Sequence, residues 1–178
     1  FSSFLPGLAG VKGIPMWTFY TNRGQGMNSF GIDNKGNAIM EFNSANTAFE
    51  NTTVKGFRTF LKIDGAYYEP FFQYEKDAKR QIRMNKNSFK IIETNEKYGI
   101  EVTVNYFILP NESIGALVRQ VSVKNISGTA KEMEVIDGLP KIITYGISNG
   151  EFKEMSNLFK SWAYIKNIDN KVPYYTLR

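Results

Sequence analysis

Hydrophobic and polar residues alternate along much of this chain, as they do in β-strands that bury one face. The segment GIEVTVNYFILP shows the alternation most clearly. Ile100, Val102, Val104 and Tyr106 fall on one face, and Glu101, Thr103 and Asn105 fall on the other. Strand-like segments and turn signals recur roughly every 8–12 residues, a spacing typical of antiparallel sandwiches and barrels. The sequence therefore predicts a mainly β fold, a large antiparallel β-sandwich of two sheets.

Four pairs of neighbouring segments are separated by short turn sequences and are predicted to form hairpins. Asp64-Gly65 is the strongest turn signal, because this dipeptide favours the two-residue turns that join twisted strands. The predicted hairpins join segments 89–95 and 99–110, 56–63 and 66–72, 29–32 and 37–42, and 115–125 and 131–139. Within 116–125, Arg119 is predicted to share a face with the apolar residues Leu117 and Val121.

One stretch near the C-terminal end has a helical pattern instead. Between Gly150 and Lys166, apolar residues recur at steps of three and four, at Phe152, Met155, Phe159 and Trp162. Ser148 followed by Glu151 matches a capping box at the start of this helix. The pattern divides the chain into a β-sandwich domain over residues 1–148 and a linker helix, with the start of a further segment, over residues 149–178.

Composition limits the chemistry that the chain can carry. Its 178 residues suit one domain with a connector, and 42% hydrophobic residues are enough for a core. The absence of cysteine excludes disulfides and thiolate metal sites. The absence of histidine excludes Ser-His and Cys-His arrangements for nucleophilic catalysis. No Asp-rich calcium loop is present, so no metal site is predicted.

The distribution of charged and apolar residues argues against nucleic acids and membranes as partners. The net charge of +5 is spread along the chain, and Asp77 interrupts the densest basic run, residues 76–83. We interpret that run as a solvated face, with nucleic-acid binding as the minor alternative. No run approaches the roughly 20 apolar residues of a membrane helix. The first residues also lack the charged start of a secretory signal, so a cytoplasmic setting is expected.

The segment Asn22-Arg23-Gly24-Gln25-Gly26 is the main candidate for a binding site. Its glycines allow positive φ angles, and its arginine and amides offer donors and acceptors that suit sugar hydroxyls. Trp17 and Tyr20 are near enough in sequence to stack on a sugar ring. The alternative is a bulged turn in which Arg23 forms an internal ion pair, for instance with Glu41. The candidate carbohydrate-binding residues are Arg23, Gln25, Asn22, Trp17, Tyr20 and Glu41.

A pair of carboxylates of the kind that glycosidases use is a further possible site. Glu69 stands out because its aromatic neighbours would raise its pKa if it were buried. Asp64-Gly65 and Asp137-Gly138 are most simply turns, and the remaining candidates, Glu41 and Glu101, fit strand faces. No pairing follows from the sequence, so no catalytic residue is assigned to this chain.

Several unusual runs together resemble the N-terminal domain of cellobiose-phosphorylase-like inverting glycoside phosphorylases, enzymes formerly classed as a glycosyltransferase family. The resemblance covers nearly the whole chain. The runs that carry it are GIPMWTFYTNRGQGMNSFGI (13–32), NAIMEFNSANTAF (37–49), GFRTFLKIDGAYYEPF (56–71) and ALVRQVSVKNISGTAKEMEVIDGLPKIITYGI (116–147).

The resemblance implies a large β-sandwich, then a helical linker and a catalytic α/α barrel downstream. In the family, inorganic phosphate is the co-substrate and the general acid is an aspartate of the barrel, which has no counterpart here. No other cofactor is implied. The N-terminal domain is expected to form part of the wall of the cleft for a β-linked oligosaccharide and part of a homodimer interface. The chain, which begins at Phe1 and ends in the strand-like VPYYTLR, is expected to be a piece of a longer protein, and not catalytic alone.

Two other functions remain open from the sequence. One is a free-standing carbohydrate-binding domain, which the linker-like helix disfavours. The other is a purely structural β domain without ligand contact.

Overall fold

A computed structural model describes residues 2–22, 24–31, 38–40, 43–72, 75–140 and 147–177. Over these residues the chain is mainly β, with antiparallel sheets and two helices, which confirms the predicted fold class. The elements are β1 (Ser2–Ala9), β2 (Ile14–Thr21), β3 (Met27–Gly31), β4 (Ala38–Met40), α1 (Ala45–Lys55), β5 (Arg58–Ile63), β6 (Ala66–Tyr68), β7 (Ala78–Met84), β8 (Ser88–Asn95), β9 (Ile100–Leu109), β10 (Ala116–Asn125), β11 (Met133–Gly138), α2 (Asn149–Trp162), β12 (Ala163–Lys166) and β13 (Tyr174–Leu177).

The strands form three larger sheets and one small hairpin sheet. Their strand orders are β1-β2-β3-β4, β10-β9-β8-β7, β11-β5-β6 and β12-β13. Every pairing between these strands is antiparallel. No helix in the part of the chain that the structure describes is long and apolar enough to cross a membrane.

The hydrophobic core lies where the three larger sheets meet. The rings of Tyr20, Phe89 and Tyr106 stack in series, with centroids 4.6 and 4.5 Å apart. Leu5 and Leu61 belong to the same cluster, so every larger sheet contributes to it. The predicted inward face of β9 is confirmed, since all four of its alternating apolar residues are buried. This common core fixes the relative positions of the loops at its edge.

Two of the predicted hairpins are confirmed, although strand β6 ends at Tyr68 and does not extend to residue 72 as predicted. Strands β8 and β9 pair from Ser88 and Phe107 to Asn95 and Ile100. Strands β5 and β6 pair across Asp64-Gly65, whose φ angles of 48° and 84° suit a tight hairpin turn. Strands β3 and β4 also pair, although their predicted turn, residues 33–36, lies outside the described residues.

The predicted hairpin between segments 115–125 and 131–139 is wrong. Strand β10 pairs with β9, and β11 crosses to another sheet and pairs with β5, placing Ile136 opposite Phe60. Contacts at Asp64 explain the crossing. The Asp64 and Glu132 backbones are joined by a hydrogen bond of 3.0 Å, and the Asp64 carboxylate accepts the Glu132 N–H at 3.0 Å. Lys131 pairs with the same carboxylate at 3.3 Å, so the β5–β6 turn anchors the start of β11.

The predicted C-terminal helix is confirmed as α2, with both hydrogen bonds of the Ser148–Glu151 capping box. It ends at Trp162 because residues 163–166 form β12, which pairs with the strand predicted in VPYYTLR. The expectation of a single helix is wrong, since α1 was not predicted. The sequence of α1 has no apolar stripe, and the helix buries only Ala48 and Thr52. The periodicity therefore gave no helical signal there. The division at residue 148 stays a prediction.

Candidate functional site

A cleft of about 310 Å³ opens beside the end of β2 and the edge of the β7–β8 sheet. Its volume lies at the lower end of the range for small-molecule sites. Polar and apolar residues line it together. The polar ones are Thr21, Asn22, Arg80 and Gln81, and the apolar ones include Phe71, Ile82, Met84 and Ile91. Strand β7 supplies four of these residues, and the predicted binding loop supplies Asn22 and Gly24.

Helix α1 and the start of β5 hold the loop that follows β2. Gly26 has a φ of 122°, a backbone conformation that side chains disfavour, and its carbonyl accepts the N–H of Phe57 at 2.9 Å. At Gly24, a Cβ would approach the Thr52 side chain to 3.1 Å. One glycine therefore provides an unusual φ and the other provides close packing on α1, so the loop needs both for its shape.

Gln25 points inward from this loop and is 2% exposed. Its Nε2 donates to the Thr59 hydroxyl at 3.0 Å, and its Oε1 accepts from the Arg119 guanidinium. Thr59 in turn donates to Asp137 at 2.6 Å. Gln25 thus fastens the loop to β5, β10 and β11, and the structure gives it a bracing role.

Arg119 is the centre of that buried network. Its guanidinium forms an ion pair with Asp137, donates to the Tyr106 hydroxyl at 3.1 Å, and lies 4.8 Å from the centroid of the Phe57 ring. Burial acts to lower the pKa of Arg119, but the hydrogen bond to Asp137 and the nearby charges outweigh it and raise the pKa. The prediction that Asp137-Gly138 is a turn is wrong, because Asp137 lies in β11 as the partner of Arg119.

A fully buried carboxylate, that of Glu93, supports the wall of the cleft. Its side chain is fully buried and accepts hydrogen bonds from the Tyr68 hydroxyl, the Phe71 N–H and the Arg80 Nε. Burial and the hydrogen bond to Glu93 raise the pKa of Tyr68. Arg80 also donates to the carbonyl of Phe72. Glu93 therefore ties two lining residues, Phe71 and Arg80, to strand β8.

The sequence did not single out Glu93 or Arg80, although one signal was present. Strand β8 alternates, and Glu93 falls on the same face as the buried residues Phe89 and Ile91. A carboxylate in the phase of a buried face requires hydrogen-bonding partners. Its partner Arg80 lies on the half-buried face of β7. Arg80 also falls within the basic run, residues 76–83, that was expected to form a solvated face.

The four candidate binding residues that the structure describes lie in different places. Asn22 lines the cleft, whereas Gln25 belongs to the buried network. Tyr20 is 5% exposed in the core, with its hydroxyl donating to the sulfur of Met84 at 2.6 Å. Trp17 lies in β2 opposite Pro6 and Ser29 and is not among the lining residues.

Arg23 and Glu41 lie outside the described residues. An ion pair between them, and a contact of Arg23 with a ligand, both stay hypotheses.

The other candidate carboxylates have local partners. The Glu69 carboxylate accepts hydrogen bonds from Arg58 Nε at 2.7 Å and from Arg58 Nη2 at 2.8 Å, which makes a bidentate pair. Glu101 lies on the outer face of β9 and accepts from the Thr94 hydroxyl at 3.5 Å. Within the described ranges, no group of three or more His, Cys, Asp or Glu side chains is placed to hold a metal ion. The described lining of the cleft combines polar and apolar side chains.

No protein-family model matches this chain, and no curated protein matches it.

Proposed function

We propose that this chain is the N-terminal β-sandwich domain of an inverting glycoside phosphorylase, and that its cleft contacts a β-linked gluco-oligosaccharide. Two observations support the proposal. The first is the resemblance of residues 13–32, 37–49, 56–71 and 116–147 to the cellobiose-phosphorylase-like enzymes. The second, which carries the proposal physically, is the cleft of about 310 Å³ formed by the most distinctive of these runs and the edge strand β7.

The mixed lining of the cleft suits a saccharide. A pyranose ring has apolar C–H faces and a rim of hydroxyl groups that donate and accept hydrogen bonds. The side chains of Ile82 and Met84 offer apolar contact, and the amides of Asn22 and Gln81 belong to the group type that both donates and accepts. Sites that bind small molecules combine these two features, with few polar groups among many apolar ones.

In the proposed enzyme, the chemistry takes place in a catalytic barrel that follows this domain. Inorganic phosphate attacks the anomeric carbon, and a sugar 1-phosphate is released with inverted configuration. This chain supplies no catalytic residue. It forms a wall of the sugar cleft and part of the interface of a cytoplasmic homodimer.

Titration of the chain with cellobiose by calorimetry tests the role of the cleft. We expect weak binding, and we expect Asn22→Ala to lower the affinity about 3–10-fold, the effect of one or two lost neutral hydrogen bonds. Asn87→Ala is the matched control, because Asn87 lies in the exposed turn between β7 and β8. Equal affinity for the Asn22→Ala variant and the unmodified chain would remove the cleft from the proposal.

A second arm tests the enzyme class. The complete protein encoded with this domain, incubated with cellobiose or laminaribiose and phosphate, is expected to release glucose 1-phosphate. The 178-residue chain alone is expected to release none. A complete protein that hydrolyses or ignores β-glucosides under these conditions would overturn the assignment to the phosphorylases.

A further inference from the structure

We infer that the cleft selects uncharged sugars against phosphorylated ones, and that Glu93 is the residue that determines this specificity. The inference rests on the proposed function, since it names the class of saccharide that the same cleft takes.

The first step is the charge of the lining. Among the described lining residues, Arg80 is the one ionised side chain. Thr21, Asn22 and Gln81 are uncharged, and the others are apolar or glycine. For this described part of the lining, the preference for or against an anion therefore depends on whether the Arg80 charge is available to a ligand.

The second step is that Glu93 already neutralises Arg80. The Arg80 Nε pairs with the Glu93 carboxylate, and its Nη2 donates to the carbonyl of Phe72. The Glu93 side chain is completely buried, whereas that of Arg80 is 25% exposed. A phosphate entering the cleft would meet a cation that has a partner, with a buried carboxylate directly behind it. The free energy that the phosphate loses on leaving water would be poorly compensated, since repulsion from Glu93 opposes its attraction to Arg80.

The third step is that Glu93 also shapes the cleft. Phe71 has a φ of 63°, which is unusual for a residue with a large side chain, and it is 4% exposed. The N–H of Phe71 donates to Glu93 at 2.9 Å, and the Tyr68 hydroxyl donates to the other carboxylate oxygen. One carboxylate thus holds the Phe71 backbone and the Arg80 guanidinium in place together. A role in specificity predicts a change in ligand charge preference, which a purely structural role does not.

The test on the unmodified chain compares glucose with glucose 6-phosphate, which differ by one phosphate group. At pH 7.5 and low salt, calorimetric titration is expected to show at least about fivefold tighter binding of glucose. Equal or tighter binding of glucose 6-phosphate would overturn the inference while leaving a saccharide site in place. Absence of binding by both glucose and cellobiose would overturn the proposed function, and the inference with it.

The Glu93→Gln variant tests the residue. Glutamine keeps the shape and an acceptor oxygen but removes the negative charge, so Arg80 becomes available to an anion. We expect the ratio of glucose 6-phosphate affinity to glucose affinity to rise at least about tenfold. Glu134→Gln is the matched control, because Glu134 pairs with Lys62 on an exposed face away from the cleft. An unchanged ratio in a folded Glu93→Gln variant would contradict the role of Glu93. Should that variant fail to fold, the comparison on the unmodified chain still decides the charge preference.

Discussion

Arg119 shows how one side chain joins elements that are distant in sequence. It lies in β10, and its partners belong to the loop after β2 and to strands β5, β9 and β11. The alternation in residues 116–125 was sufficient to place Arg119 on the inward face. It was not sufficient to identify the partners, because Gln25 is 94 residues away and the pairing depends on how the sheets stack.

Removing this guanidinium is expected to destabilise the fold. Arg119→Met retains much of the apolar stem but removes the guanidinium donor from Gln25 and Tyr106 and leaves Asp137 without its cation. The loss of charged, partly buried hydrogen bonds predicts a decrease of about 2–4 kcal/mol in the free energy of unfolding. Urea unfolding followed by tryptophan fluorescence measures it.

The control for this prediction is an ion pair that is exposed to solvent. Lys79 and Glu96 form a pair at 2.6 Å, but their side chains are 76% and 70% exposed. Exposed pairs contribute little to stability, because water and salt screen the two charges. Lys79→Met is therefore expected to have little effect on unfolding. Similar losses in both variants would mean that the buried network contributes no more than a surface ion pair.

At the scale of single elements, local sequence signals determined what was predictable. Asp64-Gly65 and the Ser148–Glu151 pair act within a few residues, and the β5–β6 hairpin and the start of α2 follow them. Helix α1 has no comparable signal. Its Ser44 N-cap makes no side-chain capping bond, and Val54, its β-branched apolar residue, is 60% exposed. Its helical form depends on packing against β2 and β3, which a sequence pattern does not reveal.

The capping box makes the first turn of α2 sensitive to pH. Hydrogen bonds from Ser148 lower the pKa of Glu151 below its ordinary value of 4.5. Because the folded-state pKa is the lower one, the contribution of Glu151 to stability is complete above about pH 4.5 and is lost as the pH falls through the folded-state pKa. The ¹³Cα shifts of residues 149–155, followed from pH 6 to pH 3, are expected to move towards coil values.

Two variants of α2 separate this effect from general acid unfolding. Glu151→Gln retains an acceptor for the Ser148 N–H but does not titrate, so the shift towards coil should disappear. Glu154→Gln changes a carboxylate of the same helix outside the capping box, and its titration should match that of the unmodified chain. If the first turn of α2 in the Glu151→Gln variant still moves towards coil values, with the same midpoint pH as in the unmodified chain, Glu151 is not the titrating group.

The cleft belongs to the scale of the whole molecule. The binding loop was visible in the sequence because its glycines and polar residues stand between apolar strands. The opposite wall was not, since Arg80 and Glu93 lie on strands whose position beside Asn22 and Gly24 depends on the packing of two sheets. The expected aromatic stacking surface at Tyr20 was assigned from sequence proximity alone. In the folded chain, the Tyr20 ring is part of the core.

The crossing of β11 is the largest difference between the predicted and observed topology. Turn residues 125–129 are closed by their own side chains, since Asn125 accepts the Ser127 N–H at 3.0 Å and donates to the Thr129 carbonyl at 2.6 Å. A turn signal indicates that the chain changes direction. It does not distinguish a hairpin from a crossing to another sheet, because the same residues can precede either. The contacts of Asp64 with Lys131 and Glu132 favour the crossing, and they join residues 67 and 68 positions apart.

Engineered disulfides test this topology directly, because the chain contains no cysteine. Phe60 and Ile136 are directly opposite in the β5–β11 pair and are 39% and 73% exposed. Opposed residues of antiparallel strands have Cα atoms about 4.5–5.5 Å apart, which is within the range for a disulfide. The Phe60→Cys, Ile136→Cys double variant is therefore expected to form the bond under mild oxidation, with the loss of two hydrogens detected by mass spectrometry.

The matched pair follows the hairpin that the sequence predicted. A hairpin centred on Gly128 would place Ser122 opposite Glu134, whereas the observed registers place Ser122 opposite Thr103 and Glu134 opposite Lys62. Cysteines at 122 and 134 are thus on different sheets and should stay reduced within the monomer. A disulfide between them, with none between 60 and 136, would restore the local hairpin. It would also separate Asp137 from Arg119 and Thr59, and so remove the network that holds Gln25 and the loop of the cleft.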